Sequence, residues 1–402
     1  SLPRSLARFF CAQRQDGLPF CDHGGRIITK RGLPMFVPST LRRLALVGIA
    51  VLGLCSMSVA AELPAFKTGF IFTTHHSPFQ VAASRGEAFR DLGVYLKPLV
   101  ERESYELIKD GKPIAILDLV VAKSGSETAT LFAQKHLDMG IASITAIMAG
   151  IDKGTPMKIV CPLQTEGMAL VVPKDSSLTS WESLLQRVKD SKEPVKIGFH
   201  SPTSAPKIVL EGALVKAGLK VTLDPSDTKA DVLLVDLKET SNLLASLTAG
   251  QVEAVVGPSP FPEVAQTRGI GKVLVNLGEL PPAGQWANFP CCVGVASEEM
   301  IAKHPEVVRA FVALISRVGA WCNAHPQQAG EIAAQWIGLP PEAGRKSSLV
   351  FLGSFNDSWL RGADTYLRIL DSMNKFSGSL RHKTMEQARP LLINDSFLDT
   401  GK

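Results

Sequence analysis

Three histidines, a set of hydroxyl side chains and the starts of several helices are the chemistry on offer in this 402-residue chain. His75-His76-Ser77-Pro78 and His200-Ser201-Pro202 each follow a short apolar strand pattern and precede a helical one. An imidazole there changes protonation near neutral pH. A helix N-terminus presents unpaired N–H groups and partial positive charge, which suit a dehydrated anion. Lys207 and the three histidines can add charge, and Phe79, Phe261 and Trp286 can wall an apolar part of a ligand. The turn Lys123-Ser124-Gly125-Ser126-Glu127 fits two readings: a capping box between Ser124 and Glu127, or a loop whose N–H groups meet an anion. Structural alternatives stand beside the others: a solvated loop for the His pair, a helix cap at 201–204, a plain turn at 257–259, and a core position for Trp286. No glycine-rich phosphate loop, nucleophile elbow or metal motif occurs.

The elements that must position these groups repeat. Phe132 to Ser143 and Leu247 to Ser259 both run from a helical pattern through one acidic residue, Asp138 or Glu253, into a short apolar strand and a Ser-containing loop. Ile71 to Phe89 and Ile197 to Leu214 both read strand, polar loop, helix. Two matched α/β lobes with a ligand cleft between them follow. Alternating strands and helices predict a parallel sheet covered on both faces. Strands are predicted at 67–73, 94–100, 113–122, 195–199, 232–236 and 254–256, with the charged stretch 101–112 between the second and third on the surface. Thr179 and Glu182 are read as a capping box. Ser297, Pro305 and Pro326 open helices in a helical tail. The organisation is a non-native or disordered leader at 1–34, a signal peptide at 35–61, lobe 1 at 62–166, lobe 2 at 167–286, and a return to lobe 1 with the tail at 287–402.

The leader distorts the charge. Residues 1–61 hold eight Lys/Arg against two acids; setting them aside from totals of 43 and 38 leaves 35 basic and 36 acidic residues. A near-neutral body gives no electrostatic case for nucleic acid. Leu41 to Ala61 has the layout of a secretory signal: two arginines, an apolar run too short to span a bilayer comfortably, then small residues. Export to the periplasm is expected, with lipid anchoring at Cys55 a minor alternative because Leu54 precedes it. Cys161, Cys291, Cys292 and Cys322 remain, without a C-x-x-C pair. Buried free thiols are expected rather than a zinc site or a disulfide framework.

Taken in order, LFAQKHLDMGIAS, IGFHSPTSAPKIVLEGALVKAGL and LTAGQVEAVVGPSPF, between an export signal and a helical tail, resemble the nitrate/taurine/alkanesulfonate group of ABC-transporter substrate-binding proteins. The resemblance covers nearly all of Phe66 to Asp371. It implies a periplasmic-binding-protein fold of two α/β lobes and two crossovers, without cofactor, metal or catalytic residues. It implies a monomer that delivers a small, anionic or sulfonate-like solute to a membrane permease with a cytoplasmic ATPase. The ligand loops it implies are His75, His76 and Ser77; Gly125 and Ser126; Ser143, Ile144 and Thr145; Thr165 and Glu166, followed by Gly167; Ser201, Thr203 and Ser204; and Gly257 and Ser259. The chain departs from the group in its charged insertion at 101–112 and in having no Arg in these loops. A sensor lobe is one alternative. An enzyme on the same architecture is another, although the Cys-rich iron-binding run of yeast-type pyrimidine-precursor synthases is reduced here to Cys291-Cys292.

Overall fold

A computed structural model describes residues 62–399; the expected leader at 1–34 and signal peptide at 35–61 lie outside the described residues. Two sheets carry the fold. The larger contains β1 (Ala65–Ile71), β2 (Val94–Val100), β3 (Ser104–Lys109), β4 (Lys112–Ala122), β5 (Met139–Ser143) and β6 (Met157–Glu166). The smaller contains β7 (Met168–Pro173), β8 (Val195–Phe199), β9 (Val221–Thr222), β10 (Val232–Asp236), β11 (Ala254–Pro258) and β12 (Gly271–Asn276). The chain then returns to the larger sheet with β13 (Pro290–Ser297) and β14 (Leu349–Phe351). The spatial orders are β14-β6-β13-β5-β1-β4-β3-β2 and β12-β7-β11-β8-β10-β9.

Crossovers containing a helix join most of the parallel strands, as chain direction requires; the parallel pair β9 and β10 is joined by a loop alone. β1 runs parallel to β4 and β5, and β8 parallel to β10 and β11. The smaller sheet is not wholly parallel as expected: β7 is antiparallel to both β11 and β12. β7 enters straight from β6 across Gly167, with no helix to reverse the chain.

A second correction concerns 101–112. The stretch is not a surface loop, because 104–109 is a strand between β2 and β4. Tyr105 and Leu107, two apart, are fully buried with the charged Glu106 between them only half-buried, a short period-2 signal hidden by the charged composition, and Ile108 is buried after a register irregularity against β4. Caps fall near the expected places. Ser124 accepts from Glu127 N, and Ser297 from Met300 N. The box expected at Thr179 sits one residue on, where Ser180 and Ser183 satisfy each other's backbone N–H before the helix Trp181–Asp190.

The C-terminal segment wraps the larger sheet. The buried Asp152 carboxylate accepts from the N–H groups of Ser377, Gly378 and Leu380 at 2.8–3.1 Å. Asn394 N then donates to Ile159 O on β6.

Candidate functional site

The ends of the parallel strands in both sheets meet where the lobes touch. Ser126, at the start of the helix Gly125–Ala133, shares hydrogen bonds with the hydroxyls of Ser201 (2.7 Å) and Thr203 (2.8 Å). Thr145 Oγ1 donates to Thr203 O at 2.6 Å. Ser143 Oγ accepts from Ala205 N, one of the free donors opening the helix Ala205–Lys216. Hydroxyls of one lobe thus satisfy backbone groups at a helix start of the other.

Beside this contact His75 spans the crossover. Its Nε2–H donates to Gly167 O at 2.8 Å, and its Nδ1 lies 3.3 Å from Cys291 Sγ and 4.0 Å from Cys292 Sγ. Burial opposes charging His75, but Cys291 and the Gly167 carbonyl outweigh it and raise its pKa. Cys291 is held down at about 5: burial pushes it up, and Cys292, His75 and Gln164 pull it lower. Gly167 has φ 72°, and a side chain there would meet Leu349 and His75 Nε2, so the crossover requires glycine. Ser259 N also donates to Gly167 O, Ser259 O accepts from Thr73 Oγ1 at 2.6 Å, and its hydroxyl donates to Glu263.

The other loop residues have different surroundings. His76 is buried inside the larger lobe, where Nδ1 accepts from Ile71 N and desolvation, then His75, lowers its pKa to about 3. Ser77 Oγ donates to Thr74 O, and Ser204 Oγ to Ser201 O. Ile144 is core; Gly125 and Gly257 permit close packing against Ala146 and Leu243. Thr165 is buried on β6 with an unpaired hydroxyl. Glu166 accepts from Asn288 N at 2.5 Å, and burial raises its pKa. Three expected ligand contributors are instead structural. Lys207 is fully buried and paired with Glu211. Phe79 packs between Phe70 and Phe311, and Trp286 packs on Phe289.

Two cavities flank the inter-lobe contact. One, of about 600 Å³, runs along the crossover past Glu166, Ser259, Glu263 and Glu279. The other, of about 860 Å³, is mainly apolar. Phe72, Val121 and Lys123 line it from the ends of β1 and β4, and Thr240, Leu244, Phe261 and Arg268 from the smaller lobe. Apart from Phe261, and Lys123 at the head of the candidate turn 123–127, sequence reasoning missed the residues of this second cavity. Phe72 directly follows an apolar strand and could have been found by that position; nothing local marks Arg268.

Residues 59–338 match the model of the NMT1-like family. The chain belongs to the NMT1-like family. A 122-residue stretch, 30% of this NMT1-like chain, is 30% identical to 84% of an uncharacterized protein from Methanocaldococcus jannaschii. Among solved structures, the fold is similar to a zinc-bound ligand-binding component of an ABC-type import system from Staphylococcus aureus, with TM-score 0.62 and 15% identity over 83% of this chain and 97% of that one. It is also similar to the nitrate-binding protein NrtA from Synechocystis, with TM-score 0.59 and 15% identity over 84% and 92%. The alkanesulfonate-binding protein SsuA from Xanthomonas axonopodis, bound to MOPS, has TM-score 0.57 and 17% identity over 79% and 96%. The NMT1-like chain therefore has the periplasmic-binding-protein fold.

Proposed function

We propose that this chain is the extracytoplasmic solute-binding receptor of an ABC importer, closing its lobes on a small amphipathic anion and delivering it to a membrane permease driven by a cytoplasmic ATPase. It acts as a non-catalytic monomer in the periplasm. The observation that carries the reading is the 860 Å³ cavity shared by the two lobes, the position in which such folds take solutes. Its apolar wall suits a hydrocarbon body, and Lys123 and Arg268 against the single carboxylate of Glu239 favour a negative head group. The likeness to receptors that bind nitrate and alkanesulfonates supports the same class.

A thermal-shift and calorimetric screen of aliphatic and aromatic sulfonates, carboxylates, nitrate, amines and pyrimidines tests it. An anion with an apolar body at 100 times its Kd should stabilise the protein by about 2.7 kcal/mol. Lys123→Ala with Arg268→Ala should weaken it at least tenfold. Binding restricted to amines overturns the anion assignment, and recovery of a chemically altered solute overturns the receptor reading.

A further inference from the structure

We propose that His75, Cys291 and Cys292 form a binding site for a thiophilic cation of the zinc class. The proposal stands independently of the solute-receptor reading, because it uses neither cavity.

The three donor atoms form a triangle with edges of 3.3, 3.9 and 4.0 Å. Zinc–sulfur bonds of about 2.3 Å and zinc–nitrogen bonds of about 2.0 Å place tetrahedral ligands roughly 3.8 Å apart between sulfurs and roughly 3.6 Å between sulfur and nitrogen. Every observed edge is within roughly 0.4 Å of those separations. The local backbone is shaped to allow this. Consecutive side chains on a regular strand point to opposite faces. β13, however, is irregular against β6 on both sides of Cys292, and the two sulfurs converge on one imidazole. A carbonyl can only accept, so Nε2 carries the proton bonded to Gly167 O, which leaves Nδ1 as the nitrogen that faces the sulfurs and would bind the metal once its own proton has left. That is the outer-shell support that metal-bound histidines have. Gln164 Oε1 accepts from Cys292 N at 3.0 Å and braces the strand. All three residues are at most 5% exposed, which shields thiolate–metal bonds from competing water. Two thiolates and an imidazole favour zinc or copper(I) over magnesium or calcium. Binding forms two metal–sulfur bonds and one metal–nitrogen bond. About two protons leave, whether the His75–Cys291 proton starts on nitrogen or sulfur.

The test titrates cobalt(II), then zinc(II), into the full chain, reduced and stripped of metal, in weakly buffered solution. Expected are one equivalent of cobalt per chain, intense thiolate-to-cobalt absorption, displacement by zinc and release of about two protons. Cys291→Ser or Cys292→Ser should halve the absorption and weaken binding by more than the tenfold to hundredfold that loss of an outer-shell partner costs. Cys161→Ser and Cys322→Ser, which remove the other buried thiols among the described residues, should change neither. An absence of charge-transfer absorption in the folded wild type overturns the proposal, as does an unchanged spectrum in the C291S/C292S double variant. If those variants do not fold, the wild-type spectrum compared with C161S, C322S and the triple variant C11S/C21S/C55S decides: absorption insensitive to all of them supports the site, and absorption lost with any of them overturns it.

Discussion

Lys207 has no exposed surface, and its ammonium is held by Glu211 one helical turn later with Phe199 beneath it. Burial pulls its pKa down and Glu211 pulls it up. Removing one member of such a pair strands the other charge. Lys207→Met should therefore cost about 3–5 kcal/mol in urea unfolding, whereas Lys207→Met with Glu211→Leu should return close to wild type. His200 presents the opposite case, a buried imidazole kept neutral. Burial first, and His75 second, lower its pKa to about 4, and its Nδ1 has no partner. The unfolded chain takes up this proton below pH ~6.5, the folded one only near 4, so stability is complete above ~6.5 and declines as pH falls. By pH 5 this group alone should remove about 2 kcal/mol. Unfolding curves at pH 7 and pH 5 should differ by that much less in His200→Gln; an equal difference contradicts the assignment. His76 acts in the same direction, so part of the acid sensitivity should persist.

Individual elements are tied across long stretches of chain by single side chains. Asp152 ends the helix Ile144–Asp152 and holds the segment 377–380 through three backbone donors. Hydrogen bonds to a buried charge are worth more than neutral ones. Asp152→Ala should cost about 3 kcal/mol, and limited proteolysis should then cut after the helix Asp357–Ser372 before the rest of the protein yields. Gly378 touches the Asp152 carbonyl so closely that a side chain there would displace the loop, and Gly378→Ala should give the same cleavage pattern. Elements with strong local signals were legible in the sequence. β8 and β10 coincide with the predicted strands, and Pro326 opens the helix Pro326–Trp336 as predicted. β3 was not legible, because its buried residues Tyr105, Leu107 and Ile108 are interrupted by Glu106 and followed by Lys109 and Asp110 in a stretch whose charge suggested solvent. Composition reports average exposure, while a half-buried strand is set by period.

At the scale of the molecule, hydroxyl contacts are among those that hold the lobes together, beside the links of Thr73 to Ser259 and of His75 to Gly167. Ser126→Ala removes both links from Ser126 to the smaller lobe and should cost about 1 kcal/mol of closed state. Small-angle scattering should show a larger radius of gyration in the variant, and any solute bound between the lobes should bind several-fold more weakly; unchanged scattering would place the closing force elsewhere. Two lobes could be read from the sequence because the repeat is local, and so could the loops holding His75, Ser126 and Thr203, which follow strand patterns. The meeting of His75 with Cys291 could not, since 216 residues separate them. The cavity holding Phe72 and Arg268 depends on how the lobes are set against each other, which no window of sequence encodes.

β13 lies in the interior of the larger sheet, antiparallel to β5 on one side and β6 on the other, yet it follows the whole of the smaller sheet in sequence. During synthesis the first lobe must wait with two open strand edges while the second is completed. Such pairing across a long intervening segment is slow. The nascent chain therefore passes through a stage with one finished lobe and one split lobe, during which open edges invite pairing with other chains. A folding helper that recognises unpaired strand edges would have its longest opportunity here, and pulse-labelled hydrogen exchange during refolding should protect β8 and β10 before β5 and β6.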